Sequence, residues 1–162
     1  MSAPIEVREA AEADRETLLR FHQSLYQSHR DEVVPAYVLP LIEYRDYEQV
    51  VEDDVKALLS DRNTHILIAE SEGVAVGYIT GRAVAEPRRV LPRRGVVEDW
   101  YVDRGHRGQG IGAALLRKIE ERFRSLGCEV IESGTWSSNQ EARRAHDAMG
   151  FEEIRVVYRK RV

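Results

Sequence analysis

The segment Val102 to Gly112, V-D-R-G-H-R-G-Q-G-I-G, constrains this chain more than any other stretch of it. It follows an apolar run ending Glu98-Asp99-Trp100-Tyr101-Val102 and opens into a helical pattern, Leu115-Leu116, Ile119, Phe123, Leu126. The order is strand, turn, helix, with glycines at alternate positions of the turn (Gly108, Gly110, Gly112). Glycine lets backbone approach a ligand without a Cβ clash, and the N–H groups of a first helical turn have no intrahelical partner. Together with the positive end of the helix dipole they favour an anion, and Arg107 adds a fixed charge at the mouth. This is the chemistry of a pyrophosphate cradle.

No G-x-x-x-x-G-K-[ST] is present, so a P-loop is excluded, and the turn reads R-x-x-G-x-G (Arg107 to Gly112) rather than the dinucleotide G-x-G-x-x-G. Alone, such a turn fits a ligand cradle or a plain turn equally. In its strand-to-helix context it resembles the coenzyme A signature of the GNAT N-acetyltransferase superfamily. Further along, Asn139-x-x-Ala142-x-x-x-His146-x-x-x-Gly150-Phe151 is similar to that family's second motif at its usual spacing. The resemblance runs over nearly the whole chain. It implies an α/β domain over residues 1–162, with a mixed, mostly antiparallel sheet of about six to seven strands flanked by about four helices and splayed at the coenzyme site. It implies acetyl-CoA as co-substrate, held by Arg107, Gly108, Gln109, Gly110, Ile111 and Gly112. The pantetheine arm would pair with the strand Trp100-Tyr101-Val102, with Asn139 as a polar contact. A homodimer is the family expectation.

Composition narrows the remaining classes. The 162 residues suit a single domain, and 43% hydrophobic with 32% charged residues is ordinary for a globular protein. No apolar stretch approaches the roughly 18 residues of a membrane span, and the N-terminus shows no basic-then-apolar signal pattern. A net charge of −4 with scattered basic residues argues against nucleic acid. The cluster Arg88-Arg89 and Arg93-Arg94 reads as a solvated hairpin tip, with help to the coenzyme's 3′-phosphate as its rival role. The single Cys128 excludes an internal disulfide, fits a cytoplasmic setting and reads as buried filler. His22, His29, His65, His106 and His146 have no metal-ligand spacing, so no metal is expected.

Periodicity lays out one alternating α/β unit. Strands are expected at 5–9, 65–71, 74–84, 95–102, 130–136 and 154–159, and helices at 14–29, at 47–59, after Gly112 and after Ser138. The stretch 30–44, with Pro35 and Pro40, reads as a loop. Ser138-Asn139-Gln140-Glu141 has the S-x-x-E form of a capping box.

Acetyl transfer to an amine needs a held thioester, removal of a proton from the ammonium and stabilisation of the leaving thiolate. The pair Glu98-Asp99 stands just before the cradle, and Val97-Glu98-Asp99-Trp100-Tyr101-Val102 looks like the E-D-aromatic-aromatic-V strand of diamine and polyamine acetyltransferases, where the acids hold and deprotonate the amine. Regular strand alternation would put Glu98 on the face of Trp100 and Val102, and Asp99 with Tyr101. Burial among Trp100, Tyr101 and Trp136 would raise a carboxylate's proton affinity, and Glu98 is the first candidate base. The rival role is a plain salt bridge. His146 stands where most members carry a tyrosine taken as the general acid; imidazole can donate a proton, or simply fill that space. Tyr26, Tyr101 and Tyr158 are possible stand-ins.

The C-terminal stretch from His146 to Lys160 is similar to the tail of certain aminoglycoside 6′-N-acetyltransferases, some of which also carry histidine at the acid position. Glu43, Asp46, Glu48, Glu52, Asp53 and Asp54 would suit a polycationic amine, or form a solvated helix face. The acceptor expected is a small-molecule primary amine, aminoglycoside- or polyamine-like. Two alternatives stand: a protein or peptide acetyltransferase, whose groove the stretch Pro35 to Tyr44 would form or block, and a non-catalytic acyl-CoA sensor.

Overall fold

Five strands carry the structure, a computed structural model that describes residues 3–162. Met1 and Ser2, where the reading for a signal begins, lie outside the described residues. The strands β1 (Ile5–Glu9), β2 (Thr64–Ser71), β3 (Val74–Ala85), β4 (Arg93–Val102) and β5 (Val130–Ser133) form one sheet in the order β1-β2-β3-β4-β5. The first four pair antiparallel, and β5 lies parallel to β4. The helices are α1 (Arg15–Ser28), α2 (Tyr47–Ser60), α3 (Ile111–Ser125) and α4 (Gln140–Ala148).

The two faces of the sheet are covered differently. Helix α3 presents Leu115, Leu116, Ile119 and Phe123 at helical spacing onto Leu67, Ala69, Val76, Ile79 and Val97, an apolar layer closed by Cys128. Phe123 sits over Gly95, where an added Cβ would lie 2.1 Å from its ring, so a side chain there would displace the helix. On the other face, α1 and α2 bury Leu18, Phe21 and Val55 against Ile66, Ile68, Tyr78 and Tyr101. Phe21 stacks on Tyr78 at 5.5 Å between centroids. This second face also buries His22 and Thr80.

Two irregularities shape the site. Thr80 pairs with Asp99 but Gly81 pairs with Val97, so Glu98 is an extra residue, a β-bulge in β4. And β4 meets β5 only from Arg94↔Val130 to Val97↔Ser133. Beyond that pair the strands part, and residues 98–102 have no strand partner on that side.

Four expectations need correction. The sheet has five strands, not six or seven. The stretch 154–159 forms no strand: Ile154 is 86% and Tyr158 89% exposed. Its β-branched run supplies propensity, but a strand exists only against a partner, and none lies beside it among the described residues. Strand β5 stops at Ser133 rather than Trp136, because Gly134 to Trp136 leave β4 to line the cleft. Helix α4 is capped not by Ser138 but by Asn139, whose Oδ1 accepts from the Ala142 N–H at 3.1 Å. The stretch 30–44 is irregular but includes a π turn at His29–Val33 and a 3-10 turn at Leu39–Leu41.

Candidate active site

The parting of β4 and β5 opens a cleft of about 980 Å³ between them, floored by β4 and walled by α4, the turn before α3 and the stretch after α1. Of the catalytic and coenzyme-binding candidates, Glu98 to Val102, Arg107 to Gly112, Asn139 and His146, all but Gln109 line it. The Gln109 side chain turns back to the Gly105 carbonyl at 3.4 Å.

At one end lies the glycine turn. Gly108 and Gly110 adopt left-handed φ values of 74° and 81°, which a side chain would strain. A Cβ on either would point into open space, so this backbone is bare where a ligand would approach. Helix α3 starts at Ile111 with no side-chain cap on its free N–H groups. Arg107 is fixed by its Nε donating to the Val102 carbonyl at 3.0 Å, which leaves the rest of the guanidinium at the cleft. These groups fit a pyrophosphate. The cluster Arg88, Arg89, Arg93 and Arg94 does not line the cleft; Arg89 and Arg94 pair with Glu86 at 2.7 and 2.8 Å.

The acid pair lies at the β4 bulge, and the bulge changes its geometry. Val97 packs under α3, yet Asp99 and Tyr101 face α1 and α2. Glu98, expected on the face of Trp100, instead reaches Arg82 at 3.0 Å, and Arg82 follows Thr80 by two residues on β3. Both carboxylates therefore lie on the α1/α2 side. Glu98 is ion-paired and partly exposed. Asp99 is buried: Thr80 Oγ1 donates to its Oδ2 at 2.8 Å and accepts from its backbone N–H at 3.1 Å. Burial pushes the Asp99 carboxyl above the usual range, against the opposing pull of His22 and the Thr80 hydrogen bond. The burying groups are Thr80 and the elements around His22, not Trp136, which is partly exposed.

Behind Asp99 lies a polar network that local patterns in the chain barely announce. His22 Nδ1 is 2.7 Å from the Tyr78 hydroxyl and 3.8 Å from Asp99 Oδ1, and its Nε2 is 3.1 Å from Asp54 Oδ2. Tyr26, in the cleft wall, donates to the same Asp54 oxygen at 3.1 Å. The only available signal was that His22 and Tyr26 fall on the apolar stripe of α1, where a polar residue must find a partner. Of the other acids around α2, Asp46 caps the helix, Glu52 pairs with Arg15 and Asp53 accepts from Gln49, while Glu43 lines the cleft.

On the facing wall, His146 Nδ1 is 2.7 Å from the Ala142 carbonyl and its Nε2 is 2.8 Å from Ser133 Oγ. A carbonyl only accepts, so Nδ1 carries a proton, and in the neutral ring Nε2 accepts from the Ser133 hydroxyl. The ring packs edge-on to Trp100 and Phe151. Tyr158 lies outside the cleft. Among the described residues no group of three or more His, Cys, Asp or Glu could hold a metal.

A family model described as "Acetyltransferase (GNAT) family" matches residues 22–151, which span the acid pair, the glycine turn and His146. The chain belongs to the GNAT acetyltransferase family. It is similar to the aminoglycoside N(6')-acetyltransferase type 1 of Stenotrophomonas maltophilia, 42% identical over 116 residues that cover 70% of this chain and 76% of that one. N-acetyltransferase 8 of Homo sapiens is 30% identical over 116 residues, 70% of this chain and 51% of its own length. Among solved structures, aminoglycoside N-acetyltransferase AAC(6')-Iy in complex with CoA shares the fold, with a TM-score of 0.75 over 100% of this chain and 98% of that one, at 21% identity. This GNAT chain is an acetyl-CoA-dependent N-acetyltransferase.

Proposed function

We propose that this N-acetyltransferase transfers the acetyl group of acetyl-CoA by direct attack of a primary amine on a small cationic acceptor, aminoglycoside- or polyamine-like. The observation that carries the reading is the bulge at Glu98, which turns two carboxylates to the same side of β4, in the cleft that the glycine turn also lines. The 42% identity to an aminoglycoside N(6')-acetyltransferase supports the acceptor class. Glu32 and Glu43 add negative charge to the cleft wall. Arg159 donates to the Leu41 carbonyl at 2.9 Å, tying the C-terminal segment to the stretch 35–44 beside the cleft. The largely buried Asp99 counts against a mere acyl-CoA sensor.

Bound acetyl-CoA supplies the activated acetyl thioester. Arg107 and the N–H groups of residues 108–112 hold its pyrophosphate, and the free backbone of Trp100 to Val102 orients its arm. Asn139 caps α4 with its oxygen and offers its amide to the same arm. A primary ammonium keeps its proton to a pH of about 10 in water, so a base is required. Asp99 takes that role, because desolvation has raised its proton affinity above that of an ordinary carboxylate. Glu98 contributes field rather than proton transfer, since Arg82 engages it. His146 delivers a proton toward the leaving sulfur through the Ser133 hydroxyl. In its neutral state the ring accepts from Ser133, so delivery requires the imidazolium.

A coenzyme-release assay with separate pools of polyamines, aminoglycosides and peptides tests the reading. Thiol release with one of the first two pools is expected. Release with peptides alone points to a protein acetyltransferase, and tight acetyl-CoA binding without release in any pool points to a sensor. The homodimer is part of the proposal: the apolar, exposed segment 154–158 and the open edge of β5 are complementary surfaces for two copies of the chain. Light scattering on the purified protein should give twice the chain mass, and a monomer would remove this part.

A further inference from the structure

Asp99 presents a physical difficulty that its own strand does not resolve. A carboxylate at this depth loses hydration, and the Thr80 hydroxyl is its one side-chain hydrogen-bond donor. Left with that alone, burial favours its protonated form, which cannot receive a proton from the amine. The group positioned to oppose this is His22, 3% exposed and outside the cleft, with Nδ1 3.8 Å from Asp99 Oδ1. We propose that His22 is a positioning residue for this reaction, holding Asp99 as a carboxylate so that it can accept the amine's proton. The inference rests on the reading of Asp99 as the base.

The surroundings of His22 suit that task. The titratable groups that face it are Tyr26 from its own helix, Asp54 from α2, Tyr78 from β3 and Asp99 from β4. Asp54 accepts at Nε2, so that nitrogen carries a proton, and the ring is anchored from α2. Tyr26 donates to the same carboxylate and fixes it in turn. Asp54 and Asp99 flank the ring on opposite sides, so with Nε2 given to Asp54 it is a proton on Nδ1 that faces the Asp99 carboxyl and favours its ionised form. His22 also draws the Asp99 carboxyl down toward the ordinary range, the largest opposing influence on it after burial itself. Tyr78 competes for the same nitrogen. Its hydroxyl oxygen, 2.7 Å from Nδ1, accepts the hydrogen bond of a proton on that nitrogen and keeps the ring from closing on Asp99.

Opposite pH shifts follow from this competition. An ionised base gives a rate that falls as pH drops through its titration. Without His22 the carboxylate is harder to ionise, so the acid limb of kcat moves to higher pH. Without the Tyr78 hydroxyl, Nδ1 is free to turn to Asp99, the carboxylate is easier to ionise, and the limb moves to lower pH. A merely structural role would lower kcat at all pH values and leave the limb where it is.

The experiment measures kcat against pH at saturating acetyl-CoA and amine for the wild type, His22→Gln, Tyr78→Phe and Asp99→Asn. His22→Gln should lose roughly 10-fold at pH 7, less than outright loss of an acid–base group, and regain most of it by pH 9, with KM for acetyl-CoA unchanged. Tyr78→Phe should keep activity to lower pH than the wild type. An acid limb unmoved in both variants, with Asp99→Asn inactive, overturns the role of His22 alone. Wild-type turnover in Asp99→Asn overturns the base assignment and this inference with it. If His22→Gln does not fold, Tyr78→Phe decides: no downward shift, or an upward one, refutes the competition.

Discussion

The two faces of the sheet are built to different rules. Under α3 the buried side chains are all apolar, and Phe123 fits onto the bare backbone of Gly95. Under α1 and α2 the buried set includes His22, Thr80 and Tyr78, with the carboxyl of Asp99 largely buried beside them; His22 is hydrogen-bonded to Tyr78, and Thr80 to Asp99. An apolar face maximises burial per residue, whereas a polar one must satisfy each group and gains little net stability for it. The difference shows where the molecule holds itself together and where it keeps charge ready for chemistry. The bulge at Glu98 is the hinge between the two rules, since it turns β4 from one face to the other.

Substitutions on each face should therefore fail in different ways. Asp99→Asn removes a charge that the fold disfavours. Turnover should drop by about 10²–10⁴-fold, while relief of burial keeps the thermal midpoint level or raises it by about 2–4 °C. Calorimetry beside a thiol-release assay checks both; a fall in midpoint with normal turnover would break the comparison. Phe123→Ala should do the reverse, costing about 3–5 kcal/mol of stability by cavity formation, with turnover per folded molecule preserved. Urea titration reads that loss.

Two further variants sharpen the division within the cleft. His146→Ala should lower kcat by roughly 10-fold if thiolate departure limits the rate. His146→Tyr should restore part of it, and Ser133→Ala should mimic the alanine variant. Full activity in both alanine variants removes the pair from the mechanism. Smallest is the cradle: Gly110→Val, at a left-handed φ beside the ligand path, should weaken acetyl-CoA by about 10-fold, or 1.4 kcal/mol. Calorimetric titration of the folded variant measures it, and unchanged affinity would contradict the cradle.

Local sequence carried one half of the site and not the other. The glycine turn, the start of α3 and the Asn139-to-His146 spacing are short-range patterns, so the residues that line the coenzyme end could be picked from the chain. His22, Asp54, Tyr78 and Asp99 come from four separate elements and meet only through packing. The facing of Glu98 was misread for a related reason: period-two alternation assumes an unbroken ladder, and nothing in Val97-Glu98-Asp99 announces an extra residue. The strand positions of β1 to β4 followed closely from periodicity. At the C-terminus, 154–159 has the composition of a strand but no partner among the described residues, and pairing is a property of two segments.

The sharpest test separates the two acids that the bulge brings together. The measurement is kcat for Glu98→Gln and Asp99→Asn in one assay, with the acetyl-CoA dissociation constant of each as control. The account predicts that Asp99→Asn loses at least ten times more turnover than Glu98→Gln, with coenzyme affinity near wild type in both. Equal losses, or a greater loss in Glu98→Gln, would contradict the claim that the buried polar face performs the proton transfer.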